Sequence, residues 1–397
     1  MRNDRDGFAL PVALFALVVV GILVTGGFYM ANQETRISHS GERATEAFYN
    51  AERGIAHALS RGWDPGYVQL EAWQADTIQP TDPDTYGHWA ATVTSLGGNL
   101  FMVTSEGTAA ANPNNGTASR RASKMVRLPN LDIDVPGALM TRGQINVRGN
   151  AEIHGTDTEP THWSEEHCPT EHADRPGIVI DDLDNVEEDG NPEIEGDPPL
   201  EEDPDMADED FLEFGELDWE DLTAPEMTDY QFSGNITEAP EPSLTQDEDT
   251  GEWHCDRGDS MNWGDPEFVE SDPDDVDRYP CANHFPIIHI DGDASLEAGG
   301  VGQGILLVDG NLNIRGDFTF YGIVVVQGTF ETEGSGNRIV GGVMAAADAE
   351  VDDQTYAGGS VVQSSGCAQE RARTLAQASR PLALEGRSWA DITAGAY

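Results

Sequence analysis

An uncharged run of 23 residues, Phe8 to Met30 (FALPVALFALVVVGILVTGGFYM), limits what this chain can become more than any other feature. At about 1.5 Å per helical residue it crosses a hydrocarbon layer of about 30 Å, so it reads as a membrane-spanning helix. A cleaved secretory signal has an apolar core of about 7–15 residues and a small-residue exit; this run is longer and lacks an A-x-A exit. Pro11 would break a helix interior, yet the first four N–H groups of a helix have no intrahelical acceptor, so a helix that starts at Phe8 tolerates it. Past the span, Ala44, Ala47, Phe48, Ala51, Ile55, Ala58 and Leu59 recur at three- and four-residue steps, with Glu42, Arg43, Glu46, Glu52 and Arg53 off that stripe. One apolar and one charged face predict a continuing helix. Gly62 and Pro65 end it, for a length of about 80 Å.

These residues carry a resemblance. The polar leader MRNDRDG ends in Gly7 and is followed by Phe8-Ala9-Leu10-Pro11 and the apolar helix, which resembles the prepilin peptidase site of type IV pilins and pseudopilins. The resemblance implies cleavage between Gly7 and Phe8 and N-methylation of Phe8. The stretch from Ala47 to Leu59, with its Ala47-Phe48-x-x-Ala51-Glu52 core, is similar to the segment after the span in PilX-type minor pilins. Together the two motifs cover the chain from Met1 to about Gly62. In such a family Pro11, Val12, Phe48, Ala51, Glu52 and Ile55 would lie on the helix through which subunits assemble. Major pilins mostly carry Glu at the fifth mature position, where this chain has Val12, which implies a minor or tip-located subunit.

The implied function is a minor pilin acting in assembly, initiation or tip display, with adhesion as a further role; a type II secretion minor pseudopilin is the alternative. The implied partners are other pilins, an inner-membrane assembly platform and the prepilin peptidase. The implied location is single-pass in the inner membrane, N-terminus cytoplasmic before processing, with the head periplasmic or extracellular on a pilus. An ordinary single-pass anchor with a helical stalk competes on hydropathy alone.

The expected fold class is α+β. Residues 1–7 form the leader, 8–62 the span and stalk, 63–130 a small pilin-like β region, 131–360 a β-helix-like head interrupted by an acidic insertion at 156–284, and 361–397 a C-terminal helix and tail. Alternating runs at Trp89–Ser95 and Asn99–Ser105 around Gly97-Gly98 predict a hairpin, Ala122–Leu128 a third strand, and Asn112–Gly116 a loop. A repeat marks the head: Thr141–Ile153 matches Val308–Phe320 almost position for position. Gly292, Gly310 and Gly328 are evenly spaced, and Gly304 and Gly322, with the apolar runs after them, repeat at the same interval. Such a period signals stacked β turns; a β-sandwich is the competing reading.

The formal charge of −52 comes from 73 acidic residues against 21 basic ones, which excludes a broad nucleic-acid footprint. Residues 181–280 hold a net −36 of it. That concentration points to a local cause, while Lys124 as the single lysine fits salt adaptation, and both remain open. Proline and charge predict loop over much of the insertion, except Ala207–Leu222, where Phe211, Phe214, Leu217 and Leu222 would form one face of a short helix. Cys367–Gln377 reads as a helix.

Cys168, Cys255, Cys281 and Cys367 all follow the span, and an even count there predicts two disulfides of undetermined pairing. His162, His167, His172, His254 and His284 beside them offer zinc ligands, but the spacing is irregular. The carboxylates suit calcium; aligning Gly190 to an EF-hand turn leaves Gly196 where the bidentate Glu belongs, so a solvated acidic surface is the preferred reading. No Ser-His-Asp, H-E-x-x-H or phosphate-loop signature occurs. A non-enzyme without a cofactor is expected, with a membrane-anchored β-helix adhesin or glycan-active protein as the other class.

Overall fold

A computed structural model of the chain describes residues 9–60, 63–80, 88–109, 118–161, 163, 167–247, 251–266, 279–297, 299–353, 359–378, 380–384 and 389–391. It divides into two compact units: Met1–Arg127 with Pro381–Tyr397, and Leu128–Arg380. A long apolar helix opens the chain and the rest is mostly β, in several sheets.

In the first unit, α1 (Ala9–Leu59) is unbroken over 51 residues. Four strands, β1 (Ala75–Ile78), β2 (Trp89–Gly97), β3 (Leu100–Thr108) and β4 (Ser119–Arg127), form an antiparallel sheet in chain order. Gly97 and Gly98 turn β2 into β3 with φ of 100° and 58°, the positive values that a twisted two-residue hairpin requires. Trp89, Ala91, Val93, Phe101, Val103, Ala122 and Val126 make the buried face of this sheet. The loop expected at Asn112–Gly116 lies outside the described residues.

Leu382–Ala383 and Trp389–Asp391 complete the sheet by pairing antiparallel with β4, Leu382 opposite Arg127. The chain therefore leaves the sheet at Arg127 and re-enters it at the neighbouring position. This corrects the expectation of 361–397 as one C-terminal piece: the helix α2 (Gly366–Ala378) belongs to the second unit and the strands after it to the first. The second unit is an insertion between two adjacent strands.

Parallel pairing builds the second unit. Ile287, Ile305 and Ile323 are register partners on successive strands, as are Ala294, Leu312 and Phe330 on a second sheet. The even spacing of the glycines is thus one step between neighbouring strands. Gly304, Gly322 and Gly341 are register partners on adjacent long strands; their φ of 118°, 137° and 140° and the carbonyl that a Cβ would strike admit no side chain. Between the two sheets' strands a side chain of one repeat caps the backbone of the next: Asp293 Oδ1 accepts from Asn311 N–H and Asn311 Oδ1 from Thr329 N–H, both at 2.8 Å. Between the sheets lies a dry core that includes Phe318, Phe320, Phe330, Trp263, Ile153 and Ile178.

The segment 156–284 is not a loop-like insertion. Ile178–Ile180 pairs with Leu139–Thr141, Val186–Gly190 with Ile145–Gly149, Glu193–Glu195 with Glu152–His154, and Leu200–Glu202 with Ile178–Ile180, all parallel. At the other end of the same sheet, Tyr230–Ser233 pairs with Ile287–Asp291. Ile178, Val179 and Ile180 are buried together, and Val186, Ile194 and Leu200 are half-buried beside exposed carboxylates; isolated apolar residues among acidic ones hid the strands.

The helix expected at Ala207–Leu222 is also corrected. Residues Asp208–Phe211 form a 3₁₀ turn, Glu213–Phe214 and Leu217–Asp218 a hairpin around Gly215 at φ 76°, and Trp219–Thr223 a single helical turn. Phe211, Phe214, Leu217 and Leu222 are buried nonetheless; the segment runs from the strand Leu200–Glu202 at one end of the parallel sheet to Tyr230–Ser233 at the other. At about 4.8 Å per strand, that sheet edge-to-edge distance is about 34 Å.

Candidate functional site

The site that the sequence singles out is α1, and the structure divides it in two. From Leu10 to Met30 its large apolar side chains are uncovered: Val12 is 54% exposed, Phe15 70% and Phe28 71%. Among the described residues this is the one helix long and apolar enough to cross a membrane. An apolar surface of that extent does not persist in water; lipid or other apolar helices must cover it. Pro11 lies in the helical backbone, whereas Gly7 and Phe8 fall outside the described residues.

The second half is cemented to the sheet. Ala47, Ala51 and Ala58 are fully buried and Ile55 nearly so, while Phe48 and Glu52 are half-buried at the margin of the contact. Small residues allow a close approach: a Cβ on Gly107 of β3 would lie 2.2 Å from both the Ala47 carbonyl oxygen and the Ala51 nitrogen, and one on Gly54 would lie 2.2 Å from Ser105 Oγ. Asn50 Nδ2 donates to the Thr108 carbonyl at 2.7 Å, and the His57 ring lies 5.0 Å from that of Trp89. The uncovered half therefore continues, in one unbroken helix, a half that is part of a folded domain.

Sequence reasoning missed Asn50, Gly54, Trp89 and Gly107. Gly54 carried a signal, since a glycine inside a helix costs about 1 kcal/mol against alanine and marks a packing constraint. Gly107 carried none, because the atoms it must clear belong to a distant part of the chain.

The four cysteines pair as Cys168–Cys367 and Cys255–Cys281, which removes the thiolates from the zinc reading. His284 is instead buried against Tyr230, Nε2 3.0 Å from the phenol oxygen; burial pulls its pKa down to about 4 and pushes the Tyr230 phenol up. His172 faces Glu370 at 3.3 Å, and His162 lies outside the described residues. The EF-hand alignment places Gly190 at the end of a strand, packed on Gly149.

Charge on the second sheet is held in a ladder. Asn313 Nδ2 donates to Glu331 at 2.9 Å and Glu333 at 3.0 Å, Arg315 pairs with Glu333 at 3.0 Å and Arg148 with Glu350 at 2.5 Å. The Asn313 hydrogen bond, followed by Arg315, holds the Glu333 carboxyl below its ordinary range. Arg371 is set apart from this pattern: its guanidinium lies 4.9 Å from the Trp163 ring and 5.2 Å from that of Phe285, donates to Asn283 Oδ1 at 2.9 Å, and is drawn down to about 10 by burial.

No family model matches the chain, and no curated protein matches it. Among solved structures, the crystal structure of competence-associated pilin ComZ from Thermus thermophilus is similar at a TM-score of 0.19 and 13% identity, over 81% of this chain and 91% of that one.

Proposed function

We propose that the chain is a membrane-anchored minor subunit of a type IV pilus-like filament, in which α1 packs against the corresponding helices of other subunits and the β units are displayed outside. The observation that carries the reading is α1 itself: one helix with its first half uncovered and apolar and its second half packed on the antiparallel sheet. Such a rod suits transfer from a lipid layer to a filament core, since both environments cover the same apolar surface. Val12 supports a low-copy position: it offers no carboxylate to a neighbouring subunit's N-terminus, and an unmatched charge in an apolar setting is costly.

The reading includes processing after Gly7, methylation of Phe8 and a PilX-type role in assembly, initiation or tip display. The second unit is read as a β-helix, supported by its parallel register repeated from strand to strand. No enzyme activity or resident cofactor forms part of it. The test is mass spectrometry of sheared filaments together with microscopy of a deletion strain. Phe8 as the first residue, low copy number and few or no filaments on deletion are expected; an intact Met1, or this chain as the dominant subunit, overturns the proposal.

A further inference from the structure

Trp73 presents two departures from what folding alone selects. Residues Glu71–Gln74 form a turn closed by Gln74 N–H to the Glu71 carbonyl at 2.9 Å, with Glu71 N–H bonded to Gln74 Oε1 at 3.0 Å. Trp73, third in the turn, has φ 73°, and among the described residues no other non-glycine has positive φ. That is the position at which a type II turn takes glycine, and a bulky residue there is strained. The side chain does not recover the loss: it is 75% exposed, and its indole N–H has no acceptor among the described residues.

The backbone around it is fixed. Trp73 N–H donates to the Ser95 carbonyl at 2.7 Å, and Ser95 N–H to the Gln74 carbonyl at 3.0 Å. The turn thus fixes the backbone from which a large, amphipathic ring stands out into solvent, the arrangement of an interface anchor. Val68, 41% exposed, adds apolar surface in the same segment. Residues 63–80 contribute Asp64, Glu71 and Asp76 and no Lys, Arg or His, so the surroundings are acidic.

What covers the ring is neither lipid nor a second copy. Ser95 pairs with Phe101, whose ring lies 5.4 Å from that of Trp63, just past the C-terminus of α1; the helix from Met30 to Leu59 sets this end about 44 Å from the apolar run. Two copies meeting at this ring would bring Asp64, Glu71 and Asp76 of each against the same carboxylates of the other. We infer that Trp73 anchors a docking surface for a different protein, one that offers an apolar pocket with a basic rim. The inference stands on Trp73 alone and does not need the filament reading.

The test uses the full chain in its native membrane with photoreactive p-benzoylphenylalanine at Val68. One heterologous adduct is expected, its linked partner peptide containing Lys or Arg beside apolar residues, with a yield that drops several-fold as salt screens the rim. Adding Trp73→Gly should lower that yield at least tenfold, and Trp73→Phe should restore part of it. In detergent, Trp73→Gly should leave the thermal midpoint of the purified chain unchanged or higher, because glycine relieves the turn. A lowered midpoint would assign the ring a structural role and overturn the inference. A lipid, homodimeric or intramolecular adduct, an acidic partner peptide, or no adduct would overturn it as well.

Discussion

Replacing Gly107 by alanine tests whether the stalk half of α1 is held by close backbone approach. The added Cβ would meet the Ala47 oxygen and the Ala51 nitrogen at 2.2 Å, while comfortable non-bonded separations are about 3.5 Å, so the helix must retreat by about 1 Å. Overpacking of this kind costs about 1–3 kcal/mol, and the retreat strains the 2.7 Å bond from Asn50 to Thr108, worth about 1 kcal/mol. Alanine reduces the freedom of the unfolded chain, which offsets about 0.4–1 kcal/mol. The net loss is about 1–3 kcal/mol, or roughly a five- to hundredfold fall in hydrogen-exchange protection of the amides of residues 47–58, measured on the full chain in detergent. Gly41→Ala is the control: nothing lies within 4 Å of that Cβ, and helix propensity alone should stabilise by up to about 1 kcal/mol. Equal protection in Gly107→Ala and the parent would refute the close-approach argument.

Three further outcomes are expected. Replacing Leu128–Pro381 by a two-residue Asn-Gly turn should leave the first unit folded, because Arg127 and Leu382 are antiparallel strand partners at a separation of about 5 Å that such a turn closes; deleting only 181–280 should instead unfold the second unit, since it removes strands from both ends of its parallel sheet, and circular dichroism distinguishes the two. Peptide mapping without reductant should recover Cys168–Cys367 and Cys255–Cys281, and removing the first should cost more, about 5 against about 3–4 kcal/mol, because it closes a loop of 199 rather than 26 residues. His284 is neutral in the fold, with its pKa depressed from 6.5 to about 4, so the unfolded chain takes up the proton first as pH falls. Its contribution is complete above pH 6.5 and is lost between 6.5 and 4, by about 3 kcal/mol; His284→Gln should flatten that part of the pH–stability curve, and an imidazole titrating near 6.5 by NMR would contradict the burial argument.

The sequence by itself determined the features whose cause is local. The uncharged run made a helix because its proline, Pro11, lies in the first turn, where no N–H needs an intrahelical acceptor, and the stripe Ala47, Ala51, Ile55, Ala58 named the buried face that the sheet occupies. Gly304 and Gly322 repeat visibly because they are partners on neighbouring parallel strands, each facing a backbone carbonyl that leaves no room for a side chain. Tertiary structure alone decided the rest. The pairing of Leu382 with Arg127, which makes the second unit an insertion, joins two positions far apart in the chain that share no pattern. The strands within 178–202 were masked by carboxylates on their solvent side, and only the partners at 139–154 show which side chains turn inward. The helix expected over Ala207–Leu222 had the right buried residues and the wrong backbone, because Gly215, at φ 76°, turns Glu213–Phe214 back onto Leu217–Asp218 as a hairpin. Periodicity is written along the chain, whereas pairing depends on distances that only the folded chain defines.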